Sequence, residues 1–319
     1  MINLIKFDIQ VMIIIIKQNK SIIWSKMLLK NKNIVITGSG RGIGRSVAIA
    51  CGKEGANVGI TSRTIEELEI TSEKIKQGNP NVKIVIKTAD ITNYSEVEDL
   101  FNYFSEKLGK LDGVIANAGI AGRWDTHEFK SDKFSQILDV NILGVFNTFK
   151  ASYPHLKKDD KKKKARFIIT GSAAYPAAMP KFAAYTATKY AVVGFQKALA
   201  LEYRKENFNI NMVLPTMVDT QLLRGDKAGD GNAPPSVMQP DELNDYYLFL
   251  LSNEANRVND ELIYPMEFEQ YVNLLKDIPD ENKKDWDNLK EYLENQEPNI
   301  YDNIKKQSRL ARYLLKKHK

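Results

Sequence analysis

The sequence predicts an α/β fold, a doubly wound parallel sheet of about seven strands with helices on both faces. Three observations carry that expectation. Short β-branched runs alternate with longer helical patterns from residue 33 to about residue 252. The runs are mostly continuously apolar rather than alternating, as strands covered on both faces require. A glycine-rich stretch, ITGSGRGIG (36–44), separates the first run from the first helical pattern. Strand and helix alternating at this period imply βαβ units with right-handed crossovers.

In chain order, strands are predicted at NIVIT (33–37), NVGIT (57–61), VKIVIK (82–87), DGVIAN (112–117), RFIIT (166–170) and NINMVL (209–214). Helices are predicted over 42–54, 64–77, 94–108, 131–155, 183–205 and 241–252. From 266 onward the chain is charged, has no strand candidate, and carries Leu, Tyr and Trp at helical spacing. That pattern predicts a helical C-terminal appendage (266–319) packed on the main domain or on a second subunit. The sheet domain is expected over 32–265, after an N-terminal extension (1–31). Met27 is an alternative beginning, which would leave 1–26 as an appendage or an over-extended reading frame.

Composition excludes several function classes. With 43% hydrophobic and 27% charged residues the 319-residue chain is ordinarily globular. Much of the net charge of +6 is local, in KKDDKKKK (157–164) and the closing KKHK (316–319), so no nucleic-acid face is expected. Cys51 is the one cysteine, which excludes an internal disulfide and makes a reducing, cytoplasmic compartment the expectation. His127, His155 and His318 lack metal-ligand spacing, and no metal site is expected. The apolar run IQVMIIII (9–16) is too short to span a bilayer, which takes roughly 20 residues.

The glycine loop follows a strand and opens a helix, the setting in which a pyrophosphate is held. Gly38 permits a tight turn, while Gly42 and Gly44 allow close approach to a phosphate at the helix N-terminus. The spacing is T-G-x-x-x-G-x-G, and no G-K-[ST] follows, so this is not a P-loop.

Together with four further motifs, this loop resembles the short-chain dehydrogenase/reductase family over roughly residues 30–265. The motifs are AD at 89–90, NAG at 117–119, Asn141 in DVNILGVF, and Ser172 placed 13 residues before Tyr185 in YTATK (185–189). The resemblance implies a Rossmann-type sheet and a catalytic set of Asn141, Ser172, Tyr185 and Lys189. It also implies a cofactor site formed by Gly38, Ser39, Arg41, Gly42, Ile43 and Gly44 of the loop. Asp90 and Ile91 would border the adenine, Asn117 would steady the sheet centre, and Ala118 and Gly119 would line the cofactor. In PTMVDT (215–220) Thr216 stands where the family has glycine, with Val218 and Thr220 still placed to meet carboxamide and phosphates.

The chemistry agrees with these assignments. Tyr185 and Lys189 are four apart and share a helix face. An ordinary tyrosine, with a pKa near 10, is a poor acid–base at neutral pH. A neighbouring ammonium and an oxidised nicotinamide favour the phenolate and are expected to lower it. In the family, Lys189 would also hold the ribose, Ser172 would orient the substrate oxygen, and Asn141 would hold a relay water.

An NAD-specific site has an acidic residue ending its second strand. Here that place is Ser62, followed by Arg63, with no carboxylate before Glu66. With Arg41 in the loop, two guanidiniums match a 2′-phosphate, so NADP(H) is the expected cofactor.

The expected function is therefore interconversion of a carbonyl and a secondary alcohol, as in a 3-oxoacyl reductase or general carbonyl reductase. The alternatives are a catalytically silent NADP-binding regulator, or a membrane-associated steroid or retinoid dehydrogenase. QLLRGDKAGDGNAPPSVMQ (221–239) reads as a mobile lid, with Arg123, Trp124 and Lys181 at the pocket rim. The partner is a small-molecule substrate, and the chain is expected to form a homodimer or homotetramer. NDELIYPMEF (259–268) departs from the family's glycine-rich ending, which makes a dimer through 131–155 and 183–205 the more portable arrangement.

Overall fold

The structure, a computed structural model, describes residues 27–156, 164–265 and residue 295. The expected extension at 1–26, most of the lysine-rich loop and the charged helical tail lie outside the described residues.

Seven parallel strands form a Rossmann-type sheet: β1 (Asn33–Thr37), β2 (Asn57–Thr61), β3 (Ile84–Ile86), β4 (Gly113–Ala116), β5 (Ala165–Thr170), β6 (Phe208–Val213) and β7 (Leu262–Ile263). Their order is β3-β2-β1-β4-β5-β6-β7. β1, β4, β5 and β6 are buried along their whole length, which is why their sequences are mostly apolar, with Arg166 in β5 and Asn209 and Asn211 in β6 as buried polar exceptions. Winding starts at β1 and proceeds outward in both directions. The crevice beyond its C-terminal end is thus the switch point where ligands bind in open α/β sheets.

The helices are α1 (Gly42–Lys53), α2 (Ile65–Gly78), α3 (Tyr94–Leu108), α4 (Ser131–Leu138), α5 (Gly144–Ser152), α6 (Ala183–Glu202), α7 (Gln221–Arg224) and α8 (Asn244–Leu251). Val97, Leu100, Phe101 and Phe104 of α3, Phe149 of α5 and Val192 of α6 belong to a core cluster with Val35, Val114, Phe167 and Ile169 of the strands. Asn93 caps α3 by accepting from the Ser95 and Glu96 backbone N–H groups.

Three elements differ from expectation. The single helix expected over 131–155 is α4, a π-helical turn at Asp139–Leu143, α5 and a 3₁₀ turn at Tyr153–His155. Pro154 explains the last break, because it has no N–H to continue the helix. The helix expected from 241 starts as a 3₁₀ turn at Pro240–Leu243. β7 is two residues long, with Leu262 beside Met212 and Ile263 beside Val213.

Residues Lys26–Tyr264 form one compact unit. Residues 27–31, assigned to the extension from sequence, pack on it. Leu29 is fully buried, the Leu28 N–H donates to Glu54 Oε2 at 3.0 Å, and the Asn31 N–H to the Gly55 carbonyl at 3.0 Å.

Arg166, inside β5, is the largest fully buried side chain. Its Nε donates to the Leu250 carbonyl at 3.0 Å, its Nη2 to the Ser252 carbonyl at 3.2 Å and to Asn256 Oδ1 at 2.6 Å, and its Nη1 to the Lys164 carbonyl. A guanidinium thus satisfies carbonyls that the end of α8 leaves without intrahelical donors. Burial lowers its pKa to about 10, with Asp112 opposing, so it stays charged at neutral pH.

Candidate active site

The glycine loop lies at the switch point and is shaped by contacts that exclude side chains. Gly38 has φ of 64°, and a Cβ there would lie 2.7 Å from Ala118 Cα. A Cβ on Gly44 would lie 2.3 Å from the Gly38 carbonyl oxygen and 2.5 Å from Asn117 Nδ2. Gly42, with φ of 54°, faces Thr220 Cγ2. Glycine is therefore needed for the loop to close on the NAG segment and on the strand-six loop at once. Arg41 is the N-cap of α1 and no side chain caps that helix. Ile43 is half-buried behind it.

Ser39 is fully buried, and its hydroxyl is committed to Thr61, accepting from its N–H at 2.9 Å and donating to its carbonyl at 3.2 Å. It acts as a strut between the loop and β2. Asp90 accepts from the Thr92 N–H and hydroxyl at 2.9 and 2.8 Å, folding its own turn. Ile91 is buried against Gly144, whose Cβ would meet Ile91 Cδ1 at 2.4 Å.

Asn117 links three strand ends. Its Nδ2 donates to the Thr37 and Gly38 carbonyls at 3.1 and 3.2 Å, and its Oδ1 accepts from the Thr170 hydroxyl at 3.2 Å. Thr170 Oγ1 also lies 2.9 Å from the buried Tyr247 hydroxyl. An amide oxygen only accepts and Thr170 has one proton, so Tyr247 donates to Thr170. The Thr170 carbonyl in turn accepts from Lys189 Nζ at 3.1 Å. Nothing in the sequence marks Tyr247, 77 positions from Thr170.

Tyr185, Lys189 and Ser172 come together above β5. Tyr185 is 9% exposed, Lys189 7% and Ser172 8%. Lys189 Nζ lies 5.4 Å from the Tyr185 ring centroid. Ser172 stands beside the Tyr185 phenol, and its hydroxyl accepts from the Ala174 N–H at 3.1 Å. The phenol's pKa moves opposite to expectation. Burial raises it, and the Ser172 hydroxyl, which acts downward, does not offset this. The ammonium is turned to the Thr170 carbonyl, and its own pKa is lowered by burial to about 8.

Asn141 sits in the π-helical turn and is tied on every side. Its Oδ1 accepts from the Ile120 N–H at 2.9 Å. Its Nδ2 donates to the Ile120 carbonyl at 2.9 Å and to Thr188 Oγ1 at 3.1 Å. Thr188 donates to the Tyr185 carbonyl at 2.7 Å, so the amide braces the segment after β4 against the helix that carries Tyr185. Both amide protons are used, so the side chain is a brace before it is a relay. Gly119 lies alongside, its Cβ position 3.3 Å from Asn141 Oδ1.

At the end of β2, Ser62 is half-buried and bonds locally with Thr64, and Arg63 is exposed. Arg41 donates to Gln221 Oε1 and lies 3.5 Å from Glu67 Oε1, a carboxylate that the spacing did not mark. After β6, Val218 is buried and Thr220 Oγ1 donates to the Val218 carbonyl at 3.3 Å. The buried Thr216 hydroxyl has no protein partner. The segment 221–239, expected from sequence to be a lid, is fastened by Arg224, which bonds Asp219 at 2.9 Å and Asp230 at 3.0 Å. At the rim, Lys181 pairs with Asp125 at 2.8 Å, and Trp124 stacks on Phe129 next to Arg123. A loop that a Cβ would fill and an orphaned hydroxyl beyond it fit a bound dinucleotide.

Lys189 gives a pH signature. In the window from about pH 8 to 10.5 the unfolded chain holds a proton that the folded chain has lost, so stability rises with pH there. Below that window the cost of the buried ammonium is present in full. Lys189→Met lacks this dependence. Denaturant titrations across the window are expected to show the original chain gaining up to ~3 kcal/mol relative to the variant. A constant difference would contradict the lowered pKa.

Residues 32–230 match the family described as short chain dehydrogenase. An uncharacterized oxidoreductase of Listeria monocytogenes is 35% identical over 199 residues, 62% of this chain and 78% of its own. A 3-ketoacyl-(acyl-carrier-protein) reductase of Brucella melitensis, complexed with NADH, shares 28% identity over 74% of this chain and 97% of its own, at a TM-score of 0.67. An alcohol dehydrogenase of the archaeon Thermococcus sibiricus, complexed with 5-hydroxy-NADP, shares 27% over 73% and 95%, at a TM-score of 0.66.

Proposed function

The chain belongs to the short-chain dehydrogenase family, and from that premise we propose that it interconverts a carbonyl and a secondary alcohol with NADP(H), Tyr185 serving as general acid/base. The observation that carries this is the burial of Ser172, Tyr185 and Lys189 together at the end of β5 and next to the glycine loop, with Lys189 Nζ 5.4 Å from the Tyr185 ring centroid.

When bound, the nicotinamide supplies or takes up the hydride at the substrate carbon. Tyr185 gives the proton to the substrate oxygen or removes it. Its raised pKa keeps the phenol protonated at neutral pH, the form a reduction needs. Ser172 orients the same oxygen by a hydrogen bond. Lys189, with a pKa of about 8, changes charge in the working range and is placed to favour the phenolate when the reaction runs as an oxidation. Asn141 and Thr188 hold the helix backbone at Tyr185.

Ser62 in place of an acid, with Arg41 and Arg63 near it, supports NADP(H). Relatives crystallised with NADH and with an NADP derivative leave that choice to local residues. Titration is expected to give markedly tighter NADPH than NADH binding. Replacing Ser62 with Asp and Arg63 with Ile should shift the preference towards NADH, each lost charged contact costing on the order of 10- to 150-fold in affinity. Equal affinities in the original chain would refute the preference.

Trp124, Met179, Met217, Leu222 and Leu223 are exposed on the loops that follow β4, β5 and β6. That apolar rim supports an uncharged ketone of some bulk, and a ketone and aldehyde panel read by NADPH absorbance tests it. NADPH binding without turnover on any member would favour the silent-regulator alternative. Leu143, Phe146, Tyr190 and Leu201 are exposed around α5 and α6 and support a homodimer through those helices. No helix among the described residues is long and apolar enough to cross a membrane. The single buried Cys51 supports a reducing, cytoplasmic compartment.

A further inference from the structure

Glu67 stands beside the glycine loop and the residue that follows β2. It lies in the first turn of α2 with its side chain 27% exposed, and its Oε1 is 3.5 Å from Arg41 Nη1. A Cβ built on Gly40 would lie 2.7 Å from Glu67 Oε2 and 2.8 Å from Ser62 Oγ. Carboxylate, hydroxyl and loop backbone therefore enclose one small space. Arg45 closes it from α1, donating to the Gly40 carbonyl, to Thr71 Oγ1 at 3.1 Å and to the Glu67 carbonyl at 3.5 Å. Arg41 is held a second time by Gln221.

We propose that Glu67 sets the cofactor discrimination of this chain, opposing a 2′-phosphate and tolerating a 2′-hydroxyl. This rests on the placement of the adenosine ribose between the glycine loop and the end of β2. A 2′-phosphate is an anion and must take Arg41 away from Glu67 or share it, with two like charges a few ångströms apart in a partly dehydrated space. Such a juxtaposition is costly in proportion to how far water is excluded. A 2′-hydroxyl carries no charge and can donate to the carboxylate. Arg41 and Arg63 pull towards NADP(H), Glu67 pulls back, and the measured preference is the difference between them.

The test is equilibrium titration of the cofactor-free full chain with NADPH and with NADH. Glu67→Gln keeps the shape and removes the charge. It is expected to tighten NADPH about tenfold and to leave NADH within about threefold, because only one ligand brings an anion to that point. Raising the salt should narrow the gap between variant and original for NADPH alone. Glu67→Ala must move the ratio in the same direction, and Glu67→Asp must keep it. A purely structural Glu67, anchoring Arg45 and the loop, would weaken both cofactors together, and that result overturns the proposal. A ratio that stays within about twofold of the original also overturns it, whichever cofactor the original chain prefers. The unsubstituted chain's own ratio tests the NADP(H) preference separately.

Discussion

Tyr185→Phe is expected to lower turnover by on the order of 100- to 10,000-fold while NADPH binding persists. The substitution keeps the ring, which packs edge-on to Phe182 with centroids 6.3 Å apart, and removes only the proton donor. The phenol oxygen is lost from a site that is nearly closed to water, so at most a small change in stability accompanies the loss of activity. Single-turnover kinetics with the best ketone from the panel separate the two effects. Retention of more than about half the activity would remove Tyr185 from the chemistry.

Arg166→Ala is expected to be the most destabilising single change proposed here, at ~4 kcal/mol and about 10 °C in Tm. The guanidinium serves the Leu250, Ser252 and Lys164 carbonyls and the Asn256 amide, all at or near the end of α8 or the start of β5. Removing it leaves those acceptors without donors and opens a cavity beside the sheet. Arg166→Lys should recover little, because a single ammonium cannot reproduce the planar fork. Thermal and denaturant melts decide this, and a melting temperature within about 2 °C of the original would contradict the role. Because Arg166 lies at the N-terminal end of β5 and Ser172 follows its C-terminal end, the loss is expected in stability before catalysis.

What the sequence shows clearly is whatever depends on local spacing. Buried parallel strands read as mostly apolar runs, glycines mark a loop that must close on itself, and Tyr185 and Lys189 share a helix face because they are four apart. Interactions made by packing across the fold leave no such trace. Glu67 meets Arg41 because α2 crosses the glycine loop, and Thr188 meets Asn141 only once the π-helical turn has swung the amide inward. The turn itself lies in DVNIL, whose apolar pattern fits an ordinary helix, so the break could not be seen. The direction of the Tyr185 pKa was misjudged for a related reason. Sequence shows the lysine four residues away but not the burial that outweighs it. Arg166 was hidden in RFIIT, where a charge in a strand gives no sign that helix-end carbonyls wait to receive it.

The hydroxyl and amide string from Tyr247 through Thr170 and Asn117 to the Thr37 and Gly38 carbonyls has a head and a tail. Every donor in it points towards β1, so a member depends on the neighbour ahead of it and hardly on the one behind. Losing the hydroxyl at 247 empties one lone pair on Thr170 and orphans no donor. Changing Asn117 to Asp faces a carboxylate with two carbonyl oxygens and removes both of their donors. A lineage that keeps this fold is therefore free to exchange Tyr for Phe at 247, where the buried ring must stay, and is held fast at 117, so tolerance to losing a polar group along the string falls in the direction its protons point.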